Sequence, residues 1–115
     1  RQQWMKSRAA YVAQTGWVLT SLAAMHDPAR TATELEAHLA HIERNIHAAP
    51  NRVRHAMNSA LIAIGMRDGH LEQLALAAAA RIGKVVVDHG ETGCRTPDAA
   101  AYIAKAKARP ARRAR

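Results

Sequence analysis

Phenylalanine is absent from this 115-residue chain, and two tryptophans and two tyrosines are its only aromatic residues. A core filled by large rings is therefore excluded, and alanine at nearly every helical turn favours close-packed helices of small residues instead. One cysteine cannot build a disulfide framework, so a reducing, cytoplasmic setting is the expectation. No run approaches the ~18 apolar residues of a membrane span, and no signal-peptide pattern is visible, so no membrane partner is expected. The length bounds the chain to one domain with a modest core. Because it enters a helical pattern directly from Arg1, it reads as the carboxyl-terminal part of something longer.

Acidic residues are also scarce: nine against seventeen Lys and Arg, for a net charge of +8. The imbalance is local. Residues 1–104 carry a net charge of +2, whereas Lys105, Lys107, Arg109, Arg112, Arg113 and Arg115 add +6 without an acid. Lys and Arg in such a run suit the phosphate backbone, where they release counterions without reading sequence. The same composition also describes a solubilising disordered tail, expected here over 109–115.

What the chain has is helical periodicity. The first segment, Trp4 to about Met25, carries Tyr11, Val12, Val18, Leu19 and Leu22 at helical spacing and stops at "HDP", where Pro28 prevents continuation. Gly16 inside it marks either a join between two helices or a close crossing. The second segment, opening at "TATELE" with Thr33 and Glu36 at capping-box spacing, buries Leu35, Leu39, Ile42 and Ile46. A third runs from about Pro50 to Gly65, with Val53, Met57, Leu61 and Ile64 inward and Gly65 as its stop. Asp68 caps a fourth, Gly69 to about Ile82, with Leu71, Leu74 and Ala78 on one face. The fifth starts at "TPD", where Thr96 caps, Pro97 takes the first helical position and Asp98 meets the positive end of the dipole. Helices of this length joined by short breaks fit a helical solenoid. No repeat of fixed period is obvious, so a small helical bundle fits the pattern as well.

Three constellations bear on chemistry. His38 and His41 lie three apart on the second helix, but the H-E-x-x-H arrangement of zinc hydrolases is absent, and no metal or cofactor is expected. "VVVDHGETGC" brings Asp88, His89, Glu91 and Cys94 together. One cysteine with no second C-x-x-C element and no third catalytic partner reads as a connector, with glycines for turning and Cys94 packed beneath the last helix. On the third helix Asn51, Arg54, His55 and Asn58 share a polar, acid-free face flanked by Arg52, which suits phosphate contacts.

Two stretches, "WMKSRAAYVAQTGWVLTSLAAMHD" and "NRVRHAMNSALIAIG" with the following "GKVVVDHGETGCRTPDAAAYI", resemble the DNA alkylation repair proteins of the AlkD type. The resemblance implies an all-α, HEAT-like superhelix of about five to six helices over 1–108, with a concave, cationic face turned to DNA. In that family an aspartate and two tryptophans line the concave face, and the carboxylate supports the cation that develops as an alkylated purine leaves. Trp4 matches the first tryptophan, but the aspartate position is Arg8 and the second tryptophan position falls at Ser59, after Asn58. An arginine opposes a developing cation. The resemblance thus implies DNA binding, through Trp4, Arg8, Arg52, Arg54, Asn58, Lys84, Lys105 and Lys107, and leaves glycosylase activity only Asp27, Asp88 or Glu91 as carboxylates. The alternative reading is a protein-interaction scaffold that holds a partner on its curved surface.

Overall fold

The computed structural model describes residues 2–85, 87 and 97–107, excepting the side chains of residues 2–4, 106 and 107. The described chain is all-α: α1 Gln2–His26, α2 Ala32–Asn45 with a 3₁₀ turn at Ile46–Ala48, α3 Asn51–Gly65, α4 Gly69–Ile82 and α5 Ala99–Lys107. None of these helices is long and apolar enough to cross a membrane.

Side-chain contacts between helices set the topology. Gln14 of α1 meets Arg52 of α3, and Ala23 and Ala24 further along α1 meet Arg67 just past α3. Contact therefore advances in one direction along both, and α1 and α3 are parallel. Glu36 and Glu43 of α2 reach His70 and Arg81 of α4 in the same sense, and Asn58 and Gly65 of α3 meet Pro97 and Ile103. Helices two apart in sequence are thus parallel neighbours, and α1 packs on α3 far more than on α2, whereas an up-and-down bundle packs consecutive antiparallel helices together. The result is a stacked two-layer helical repeat, with α1, α3 and α5 in one layer and α2 and α4 in the other.

Helix ends follow local chemistry, with three departures from the sequence reading. The N-cap of α2 is Thr31, whose hydroxyl accepts from Glu34 N at 3.2 Å; Thr33 already lies inside the helix. Asp98 is the residue before α5 and accepts from Ala100 N, so Pro97 precedes the helix, and Thr96 lies outside the described residues. Gly16 neither joins two helices nor marks a crossing: α1 is continuous, and a Cβ there would meet nothing within 4 Å. Asp68 caps α4 as expected, accepting from Leu71 N at 2.9 Å.

The core stripes of α2, α3 and α4 are buried where periodicity put them, except that Leu74 is only partly covered and Ala75 is enclosed beside Leu71 and Ala78. In α1 the stripe that periodicity marked is not the packed side. Tyr11, Val12, Val18, Leu19 and Leu22 are exposed, while Ala10, Ala13, Trp17 and Ala24 pack against the core. The parallel approach of α1 to α3 needs small residues, and α3 answers with Ala56, Ala60 and Ala63. Gly65 is required by packing more than by helix termination: a Cβ there would lie 2.9 Å from Ala75 Cβ and 2.6 Å from Ile103 Cδ1.

Two substitutions test this packing by urea unfolding. Gly65→Ala is expected to destabilise by about 1–3 kcal/mol through overpacking. Asn58→Ala, which strands the Pro97 carbonyl, is expected to cost about 1–3 kcal/mol. An unchanged midpoint for either contradicts the contact assigned to it.

Candidate nucleic-acid interface

Sorting the helices by layer separates their charges. Within α1, α3 and α5 stand Lys6, Arg8, Arg52, Arg54, Lys105 and Lys107, and no aspartate or glutamate. The helical acids, Glu34, Glu36, Glu43 and Glu72, all belong to α2 and α4. There they are partly consumed: Arg81 hydrogen-bonds Glu43 at 2.8 and 2.9 Å, which lowers the Glu43 carboxyl pKa, and His70 meets Glu36 at 2.7 Å.

At helical spacing, the side of the α1–α3–α5 layer turned away from α2 and α4 carries Arg8, Tyr11 and Thr15 of α1, Arg52, His55 and Ser59 of α3, and Tyr102 and Lys105 of α5. On it Arg52 joins two helices: its guanidinium lies 3.8 Å above the Tyr11 ring centre while Nη1 donates to Gln14 Oε1 at 3.4 Å. Stacking fixes the plane of the guanidinium and leaves N–H edges for an oxyanion. Tyr11 and Tyr102 are both about half exposed, at 55% and 48%. Sequence reasoning missed both tyrosines. Tyr11 read as part of an apolar stripe, and its role appears only when Arg52, far along the chain, is seen above it.

Other residues expected at the interface have different work. Arg54 donates to the carbonyls of Ile46, His47 and Ala49 at 2.9–3.1 Å, closing the chain end that follows α2. Asn58 is buried, at 1% exposure, and its Nδ2 donates to Pro97 O at 2.8 Å. Lys84 follows α4 and lines a cavity of about 460 Å³ between α3, α4 and the start of α5, with Pro97 and Asp98 opposite. Asp27 accepts from Ala29 N and pairs with Arg30 at 3.6 Å, which closes the turn after α1. The side chains of Trp4 and Lys107, and all of Asp88, His89, Glu91, Cys94 and the tail 109–115, lie outside the described residues.

His38 and His41 face Trp17 of α1, at ring-centre distances of 5.7 and 5.5 Å. Among the described residues no group of three or more metal-ligating side chains gathers. Partial burial against Trp17, then the charge of Arg30, lowers the His38 pKa below its usual 6.5. The unfolded chain therefore binds this proton at higher pH than the folded one, so stability is full above 6.5 and is lost as pH falls through 6.5 toward the folded value. An NMR titration of the His38 ring is expected to give a midpoint below 6.5, and His38→Gln to lessen the loss of stability over that window. A midpoint at or above 6.5 contradicts the packing described.

A family model described as DNA alkylation repair enzyme matches residues 1–108. Uncharacterized protein Lin0241 of Listeria innocua is 32% identical over 108 residues, covering 94% of this chain and 46% of its own length. Uncharacterized protein Lmo0209 of Listeria monocytogenes is 32% identical over 106 residues, covering 92% and 45%. The chain thus spans about half the length of the curated relatives it matches. No solved structure is significantly similar to it. By the match over nearly its whole length, the chain belongs to the DNA alkylation repair enzyme family.

Proposed function

We propose that the outward face of the α1–α3–α5 layer binds the sugar-phosphate backbone of DNA, in the cytoplasm, without excising a base. The observation that carries this reading is the absence of any acid in the helices of that layer, whose outward side carries Arg8, Arg52 and Lys105. A merely solvated helix face mixes signs, as α2 does with Glu34, Glu36, Glu43 and Arg44. Arg52, held flat on Tyr11, is the central phosphate contact, with Arg8 and Lys105 on the flanking helices. Membership of a DNA repair family supports the choice of DNA as the polyanion.

Excision requires a group that stabilises positive charge on the sugar as the base leaves. No carboxylate stands on the helices of this layer, and Arg8 occupies the position that the resemblance gives to the aspartate. Binding without base removal is therefore the activity assigned to this face.

Fluorescence anisotropy with a short DNA duplex at about 50 and 200 mM salt tests the reading. Affinity is expected to fall steeply with salt. Arg52→Ala is expected to weaken binding and flatten the slope of log affinity against log salt by about 0.9, the value of one phosphate contact. Arg81→Ala, on the other layer and paired with Glu43, should leave both unchanged. The absence of binding at low salt would favour the protein-interaction scaffold. Binding that survives Arg52→Ala but vanishes on removal of residues 109–115 would assign the affinity to the tail and overturn the role of the face.

A further inference from the structure

A second site lies away from the outward face, where Trp17 of α1 meets α2. A groove of about 490 Å³ is lined there by Gly16, Trp17 and Thr20 of α1 and by His38, His41 and Arg44 of α2. We infer that this groove binds a nucleoside monophosphate, with the base against the Trp17 indole and the phosphate on the wall of His38, His41 and Arg44.

Spacing along α2 builds the cationic wall. His38, His41 and Arg44 stand three residues apart, so they follow one another along one side of the helix. Among the described residues no carboxylate lines the groove, because Glu36 and Glu43 are turned to His70 and Arg81 of α4. Arg44 is exposed and makes no ion pair among the described residues, so its fork of donors is available to a phosphate. The surroundings of His38 are short of negative charge. Burial first, then Arg30 and in smaller measure His41, disfavour its charged form, and Glu34, which also meets Arg30 at 3.7 Å, is the one acid that favours it. A phosphate monoester, a dianion at neutral pH because its second pKa is about 6, supplies the missing charge.

The α1 wall supplies a ring and room beside it. Trp17 is only partly buried, His38 meets it edge-on at 77° and His41 is tilted at 38°, so neither imidazole lies flat on the indole. At Gly16 nothing lies within 4 Å of the position a Cβ would take, and a planar ring can lie against the helix backbone next to Trp17. Every nucleobase presents a π-face to such a surface. The volume falls in the range of about 300–1,000 Å³ usual for small-molecule sites. Thr20 adds no free donor, since its hydroxyl donates to Gly16 O at 3.0 Å, so the anion depends on the α2 wall.

The test uses the full chain carrying Trp4→Phe, so that Trp17 is the only tryptophan, and deoxyadenosine monophosphate as the probe. Titration at neutral pH is expected to give a change in Trp17 fluorescence that saturates with a dissociation constant of about 1 mM or below. Arg44→Gln, at an exposed position, should weaken binding about tenfold, a difference of ~1.4 kcal/mol, and Arg44→Lys should weaken it less. Deoxyadenosine and inorganic phosphate, each lacking one half of the ligand, should bind about tenfold more weakly or not at all. Saturating nucleotide should raise the NMR midpoint of the His38 ring by about one unit, the shift that tenfold tighter binding to the protonated ring requires. No saturable change, either half binding as tightly as the whole, unchanged affinity in Arg44→Gln, or an unmoved His38 midpoint would each overturn the inference. Arg52→Ala should leave nucleotide binding unchanged, and its loss in that variant would place the nucleotide on the outward face and overturn the inference as well. None of these outcomes depends on whether the outward face binds DNA.

Discussion

Everything in this fold depends on how closely α3 can be approached. It is the helix that α1, α4 and α5 all pack against, and most of its length is buried. Ala56, Ala60 and Ala63 admit α1 along one side, and Gly65 admits Ala75 and Ile103 on the other. Larger residues would hold the helices apart and leave voids that a chain without phenylalanine has nothing to fill. Because α3 is enclosed on the sides that face other helices, Asn58 and Arg54 are turned to partners inside the fold, and Arg52, His55 and Ser59 share the outward strip. The chemistry available to the outward face is therefore a consequence of core packing.

A parallel stack also leaves helix carbonyl ends to be satisfied, and several basic side chains serve that need. Arg67 donates to the carbonyls of Ala23, Ala24 and Arg30 at the end of α1, Arg54 closes the chain after α2, and His47 donates to Ile82 O at the end of α4. Cations at helix C-termini are favoured by the dipole as well as by the hydrogen bonds. The high positive charge of this chain therefore has two meanings. Arg54 and Arg67 hold the layers together, and Arg52, two residues from Arg54, points outward over Tyr11.

Much of this was legible in the sequence. The helices of the second to fourth segments, the Asp68 cap and the buried stripe from Leu35 to Ile46 follow from periodicity and turn chemistry, which are local. What could not be read was non-local. The exposure of Val12, Leu19 and Leu22 depends on which side of α1 meets α3, and the burial of Asn58 depends on the carbonyl of Pro97, 39 residues later. The polar face assigned to α3 thus split into a contact within the core at Asn58, a capping group at Arg54 and an outward cation at Arg52. Knowing which helices share a layer also turned an acid-free α3 into an acid-free layer.

The central claim is that nucleic acid meets the α1–α3–α5 layer and not the layer of α2 and α4. Amide chemical-shift mapping with a short DNA duplex at low salt reads this residue by residue. The account predicts perturbations around Tyr11, Arg52, His55, Ser59 and Lys105, with little change at Glu36, Glu43, Glu72 and Arg81. Perturbations centred on α2 and α4, or confined to residues after 108, would contradict it.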